Sequence, residues 1–220
     1  MKKVKKRQVT KRHKKAAIQN STHTMNQSPI KLIVGLGNPG EKYTKTRHNA
    51  GFLFLDALCQ QLDSSLKADK NCFGRTAKVA IAGNEARLLA PDTFMNLSGK
   101  AVRAATNYYK IAMSEILVVH DELDLDTGIA RLKIGGGHGG NNGLRDIIQQ
   151  SATRDFARLR IGIGHPGVGR DVSGYVLKQA NKSDQQNIEN AIVESLRVIE
   201  LIAQGDFPRA MNELHTKLAN

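Results

Sequence analysis

A short apolar run, Ile30-Lys-Leu-Ile-Val34, ends in the turn Gly35-Leu-Gly-Asn-Pro-Gly40, and a helical pattern begins only near Asn49. That order commits the chain to a strand, a glycine-rich loop and a helix, the opening unit of an α/β sheet. Gly35, Gly37 and Gly40 satisfy G-x-G-x-x-G, the spacing that in a dinucleotide site brings a helix N-terminus to a pyrophosphate. The rest of the unit argues against such a site. Pro39 occupies the turn, Glu41–Arg47 carries no apolar stripe, and Asp56, the carboxylate nearest a ribose-contact spacing, falls inside the helical pattern. A nucleotide-dependent oxidoreductase is therefore disfavoured.

Apolar β-type runs recur at Lys31–Val34, Thr76–Ile81, Ala86–Ala90, Ile116–His120, Ile129–Ile134 and Ala157–Ile163. Helical patterns lie between them at Ala50–Leu62, Leu97–Tyr109 and Gly143–Gln150, and a long one starts at Asp184. For the long helix, Ser183 and Gln186 predict a capping box, and Ile188, Ile192, Leu196, Ile199 and Ile202 keep helical spacing up to Gly205. Phe207-Pro208 then opens a shorter helix. The alternation predicts an α/β fold: one domain with a mixed twisted sheet and helices on both faces. Two loops are dense in glycine, Gly135–Gly140 and Gly162–Gly169.

Charge is unevenly spread. The chain carries a formal net charge of +13, and nine of its 33 Lys and Arg, but none of its 20 acids, fall in residues 1–28. The remainder is nearly balanced, with 24 basic against 20 acidic residues. Residues 1–28 are expected to be a disordered basic extension, without the apolar core of a secretory signal, and 29–220 to be the α/β domain. No apolar run approaches the ~20 residues that span a bilayer. Two cysteines, Cys59 and Cys72, are too few for a disulfide framework and fit a reduced compartment, which suggests a cytoplasmic protein.

In open α/β sheets a site forms beyond the carboxyl ends of the strands. Polar clusters follow the apolar runs in that way: Asn38, Thr93-Phe-Met-Asn96, His120-Asp-Glu122, His138 with Asn141-Asn142, and His165. Repeated Asn offers both donor and acceptor without charge, which suits amide and ester carbonyls. His48 with Asp121 is the pair that would make this an enzyme. A neutral imidazole can take a proton from water, and a carboxylate on its other nitrogen fixes the tautomer and stabilises the imidazolium. Taken singly, each has a plainer reading, His48 as a helix-start or surface residue and Asp121 as a turn or cap. Neither H-E-x-x-H nor H-x-x-E-H occurs, so no metal site is expected, and no G-x-S-x-G elbow marks a serine hydrolase.

Six motifs in order, Gly35–Gly40, Thr46-Arg-His-Asn-Ala-Gly51, Phe94-Met-Asn-Leu-Ser-Gly99, His120-Asp-Glu-Leu-Asp-Leu125, Gly135–Arg145 and Phe156–Gly167, make residues 30–215 resemble the bacterial-type peptidyl-tRNA hydrolases. The resemblance implies a monomer without metal or nucleotide cofactor that hydrolyses the ester between a peptide and the 3′ end of tRNA, its nucleic-acid partner, and so recycles tRNA from prematurely released peptidyl-tRNA. It implies His48 as general base, Asp121 as the acid that holds it, and Asn38 as the residue that tells a blocked α-amino group from a free one. Tyr43, Phe94, Asn96 and Asn142 would line the channel for the tRNA 3′ end and peptide, and Lys133 and Arg160 would meet the tRNA 5′-phosphate. One departure is plain. Where that family commonly reads His-Asn-Gly, this chain has Asn141-Asn142-Gly143, so an imidazole is replaced by an amide with no titratable proton. A module of this fold that binds RNA without hydrolysis is the competing expectation, encouraged by the basic N-terminal segment.

Overall fold

The computed structural model describes residues 28–217, so all but the last residue of the expected 1–28 basic extension lies outside the described residues. Seven strands form one mixed sheet in the order β2-β3-β4-β1-β5-β7-β6. They are β1 (Leu32–Gly35), β2 (Lys67–Asp69), β3 (Gly74–Ile81), β4 (Asn84–Pro91), β5 (Ile116–Glu122), β6 (Ala130–Ile134) and β7 (Ala157–Gly162). β4, β1, β5 and β7 run parallel, while β2–β3, β3–β4 and β6–β7 pair antiparallel. The helices are α1 (Ala50–Gln61), α2 (Ser98–Tyr109), α3 (Asn142–Ser151), α4 (Val172–Val176), α5 (Lys182–Arg197), α6 (Ile199–Gln204) and α7 (Phe207–Lys217).

β1 is central and buried throughout, which is why it reads as a continuous apolar run. Its alternate residues divide the core. Ile33, with Leu117, Val119 and Leu159 of neighbouring strands, packs against Phe54, Leu55 and Leu58 of α1 and against α5, α6 and α7. Leu32 and Val34, with Ile116 and Val118, face Val102 and Ala105 of α2 and Leu144 and Ile147 of α3. Each fully buried Leu, Ile or Phe contributes roughly 1.5–3 kcal/mol.

The glycine motif serves helix packing. A Cβ on Gly35 would overlap the Gly51 carbonyl and Leu55, and one on Gly51 would overlap the Leu36 backbone and the Val119 carbonyl. The two glycines let α1 start hard against the end of β1. Chain order reverses here: the β2–β3–β4 meander lies to one side of β1, and β5, which follows α2, lies on the other. A crevice therefore opens at the carboxyl ends of β1, β4 and β5.

Several local expectations are corrected. β2 is three residues of an edge strand, and its Lys67-Ala-Asp69 sequence carries no apolar alternation. The strand expected over Ile116–His120 runs two residues further, so Asp121 and Glu122 also belong to β5. The cap of α5 is Asn181, whose side chain accepts from the Asp184 N–H at 2.8 Å, and Ser183 sits inside the first turn. The long helix is broken at Val198 without Gly or Pro. Buried Ser195 returns its hydroxyl to the Ala191 carbonyl at 2.7 Å, a back-bond that bends helices.

Candidate active site

A cavity of about 560 Å³ occupies the crevice, lined by Asn38, His48, Phe94 to Asn96, Asp121 to Leu123, Gly139 to Asn142 and the inner side of α4. Of the residues expected from sequence, His48, Asp121, Asn38, Phe94, Asn96 and Asn142 are brought together here.

His48 stands in the single 3₁₀ turn Arg47–Asn49 that leads into α1, so the glycine contact beneath α1 sets its height over the sheet. Its Nδ1 lies 2.9 Å from Asp121 Oδ2, and both residues are buried. A neutral imidazole donates Nδ1–H to the carboxylate, which leaves the Nε2 lone pair for the cavity. Burial by itself would lower the His48 pKa, but the charge of Asp121 and its hydrogen bond together outweigh that and raise it above 6.5.

Asn38 is locked by three contacts. Its N–H donates to Asn49 Oδ1 at 2.8 Å, its carbonyl accepts from Asn49 Nδ2 at 3.0 Å, and its Oδ1 accepts from the Met95 N–H at 2.8 Å. With Oδ1 occupied, its Nδ2 is the group left to donate into the cavity. Asn142 is oriented the same way, its Oδ1 taken by Arg145 at 2.8 Å. Phe94 is 55% exposed and offers a ring face beside them.

Asn141 and Glu122 line the cavity as well; the sequence places both in polar clusters at strand ends but assigns neither a role. Asn141 caps α3 and also donates from Nδ2 to Asp121 Oδ1 at 3.0 Å. Glu122 accepts from Arg160 Nε at 2.8 Å. Asp and Asn at a strand end and a helix cap are commonplace, so only the fold discloses these pairings.

Three expected residues stand outside the cavity lining. Tyr43 lies in the turn Glu41–Tyr43, where its carbonyl accepts from Thr46. Lys133 and Arg160 are on β6 and β7, where Lys133 pairs across from Arg158 and Arg131 from Arg160. They share one face of the sheet, diagonal to each other.

His120 is buried and donates Nδ1–H to the Asp121 carbonyl at 2.7 Å, and burial lowers its pKa, so it stays neutral. His138 and His165 accept from Gly140 and Gly167 N–H within their own turns and do not line the cavity. Among the described residues no group of three His, Cys, Asp or Glu side chains could hold a metal ion.

Residues 32–220 match the family model described as peptidyl-tRNA hydrolase. The peptidyl-tRNA hydrolase of Marinomonas sp. (strain MWYL1) is 55% identical over 188 residues, 85% of this chain and 97% of that protein. That of Pectobacterium atrosepticum is 54% identical over 189 residues, 86% of this chain and 97% of that protein. The crystal structure of peptidyl-tRNA hydrolase from Acinetobacter baumannii superimposes with a TM-score of 0.81 at 49% identity, over 84% of this chain and 94% of that one.

Proposed function

Since this chain belongs to the peptidyl-tRNA hydrolase family and hydrolyses the ester that joins a peptide to tRNA, we propose that His48 is the general base of that reaction. The observation that carries this is the 2.9 Å contact of His48 Nδ1 with Asp121, inside the cavity at the strand ends. His48 Nε2 takes a proton from water as the water oxygen attacks the ester carbonyl carbon. Asp121 stabilises the imidazolium that forms. The tetrahedral intermediate then collapses, the carbon–oxygen bond to the ribose breaks, and the imidazolium returns its proton to the departing ribose oxygen. A ribose alkoxide leaves more readily than an amide nitrogen, so no covalent enzyme intermediate is needed.

Asn38 Nδ2 and Asn142 Nδ2 are the donors for carbonyl oxygens of the peptide and the developing oxyanion. Phe94 and Asn96 flank the path of the tRNA 3′ end. The cavity is lined by the neutral amides of Asn38, Asn96 and Asn142. Its two carboxylates are already engaged, Asp121 by His48 and Asn141 and Glu122 by Arg160, so a free α-ammonium would lose water there without gaining a free counter-charge. Rejection of aminoacyl-tRNA follows. Lys133 and Arg160 lie outside the cavity on the sheet face and suit a phosphate of the tRNA, contributing charge without base identity. Tyr43 we place at the rim, on the approach to Asn38. The reaction draws every side chain named here from one chain, which supports a monomer, and its substrate arises where translation occurs, which supports a cytoplasmic place of action.

The test is release of N-acetyl-amino acid from N-acetyl-aminoacyl-tRNA in EDTA, for the wild type and His48→Ala. Release by the wild type, sparing of free aminoacyl-tRNA and a loss of ~10²-fold or more in the variant are expected. Retention of more than about a tenth of the rate would sink the base assignment.

A further inference from the structure

Asn141 joins two parts of the molecule that the chemistry needs in register. Its Oδ1 accepts from the backbone N–H groups of Gly143 at 3.0 Å and Leu144 at 3.1 Å, capping α3. Its Nδ2 donates to Asp121 Oδ1 at 3.0 Å, while the other Asp121 oxygen meets His48. These partners fix the amide's orientation, because backbone N–H groups need an acceptor and a carboxylate needs a donor. The first turn of α3 is itself seated tightly. A Cβ on Gly143 would lie 2.6 Å from Met95 Sδ and 2.9 Å from Leu36 Cδ1.

We propose that Asn141 is a positioning residue for ester hydrolysis, holding Asp121 from the side opposite His48 and thereby setting both the aim and the basicity of the imidazole. The proposal rests on His48 being the base. A hydrogen bond to the carboxylate draws charge from it and weakens its hold on the imidazolium proton. Without that bond the carboxylate is free to turn away from His48 and, when it does face it, pulls harder. Because the amide does not titrate, the contact is the same at every working pH.

Other charged groups around His48 are few. β5 supplies Asp121, together with neutral His120 and with Glu122, whose charge is engaged by Arg160 of β7. On its own turn, Arg47 is engaged by Asp184 of α5. α3 brings Arg145, held by Asn142. The cavity-facing residues of α4, Val172, Ser173 and Val176, carry no charge.

Asn141→Ser and Asn141→Asp both keep a good helix cap, so each should leave α3 in place. In Ser the donor is gone. In Asp it is replaced by a negative charge beside Asp121. The measurements are the NMR titration of the His48 ring, kcat and KM against pH, and the denaturation midpoint. For Asn141→Asp the His48 titration should move up by about one unit. The rate at pH 7 should then fall by up to about tenfold and recover at higher pH. For Asn141→Ser, kcat should fall several-fold at all pH values with KM held, and the His48 titration should rise by less than in Asp.

A capping role alone would leave kcat and the His48 titration of Asn141→Ser, which introduces no charge, at their wild-type values and lower activity only through lost folding. That result would overturn the proposal. A His48→Ala enzyme that keeps its rate would remove the base assignment instead, and it would do so without reference to either Asn141 variant.

Discussion

The guanidinium of Arg47 lies over the ring of Tyr175, 4.2 Å from its centroid, and so ties the turn that carries His48 to the helix that walls the cavity. The same guanidinium donates to the Gln179 carbonyl at 3.1 Å and pairs with Asp184 at 3.3 Å. Tyr175 in turn donates to the Ile163 carbonyl at 2.7 Å. Arg47→Ala should cost roughly 2 kcal/mol of stability, since it removes a buried guanidinium together with its ring stacking and its hydrogen bonds. It should also raise KM more than it lowers kcat. Arg47→Lys should not rescue it, because an ammonium cannot both stack and fork. Urea unfolding and steady-state kinetics check this, and full rescue by Lys would refute the stacking role.

A base works only when deprotonated. Because Asp121 raises the His48 pKa, kcat/KM should climb with pH along a limb centred above 6.5. Asp121→Asn removes the charge, so the limb should move to lower pH while its plateau falls by about 10²-fold or more. A limb that stays put would mean that another group is titrating. The same shift carries a stability signature. A histidine whose folded pKa is raised stabilises the fold fully below its unfolded value and loses that contribution as pH rises through the folded value.

His215 should show the opposite sign. Its Nε2 accepts from the backbone N–H of Leu132 at 3.0 Å, which docks α7 on the edge strand β6. Burial first, and the charge of Arg131 second, lower its pKa. The unfolded chain therefore binds more protons near pH 6, so stability falls as pH drops below about 6.5. His215→Ala should lower Tm most at neutral pH, and the gap from wild type should narrow toward pH 5. A gap that is constant with pH would mean that only packing was lost.

Gly51→Ala puts a methyl group against the Leu36 backbone and the Val119 carbonyl. Neither neighbour is a flexible side-chain end, so α1 must shift. A cost of about 1–3 kcal/mol is expected, together with a fall in kcat, because His48 rides on that helix start. Equilibrium unfolding beside kinetics would show it, and a variant with wild-type kcat would argue that His48 is held from the Asp121 side alone.

Lys133 and Arg160 differ in what they have to spare. Arg160 already shares its charge with Glu122 at 2.8 Å, whereas Lys133 is exposed on the edge strand. Lys133→Ala should raise KM and flatten the dependence of log(kcat/KM) on log[salt] by about one unit. Arg160→Gln should flatten it by less. An unchanged slope in both would remove the phosphate role.

Much of this was legible in the chain. The central strand, α1, α2 and α3 follow from apolar periodicity because burial on one or both faces decides those positions. Asp121 follows from the rule that places polar residues at strand ends, whereas His48, 73 residues earlier in the turn before α1, is legible only as an imidazole that a carboxylate could pair with. What escaped were features set by partners distant in sequence. β2 is polar because it is an edge, and α4 is five residues held through Arg47 and Tyr175 with no apolar stripe of its own. The second bond of Asn141 could not be read either, since a helix cap looks the same in sequence whether or not its free amide end meets a carboxylate.

The meeting of Gly35 and Gly51 bears on how glycine spacing should be interpreted. In a dinucleotide site the missing side chains leave a hollow for a pyrophosphate. Here the same spacing leaves room for the backbone of α1, and the hollow is filled by the chain itself. A glycine signature thus reports that something must come close, and only the residues that follow it say whether the visitor is a ligand or the protein's own next helix.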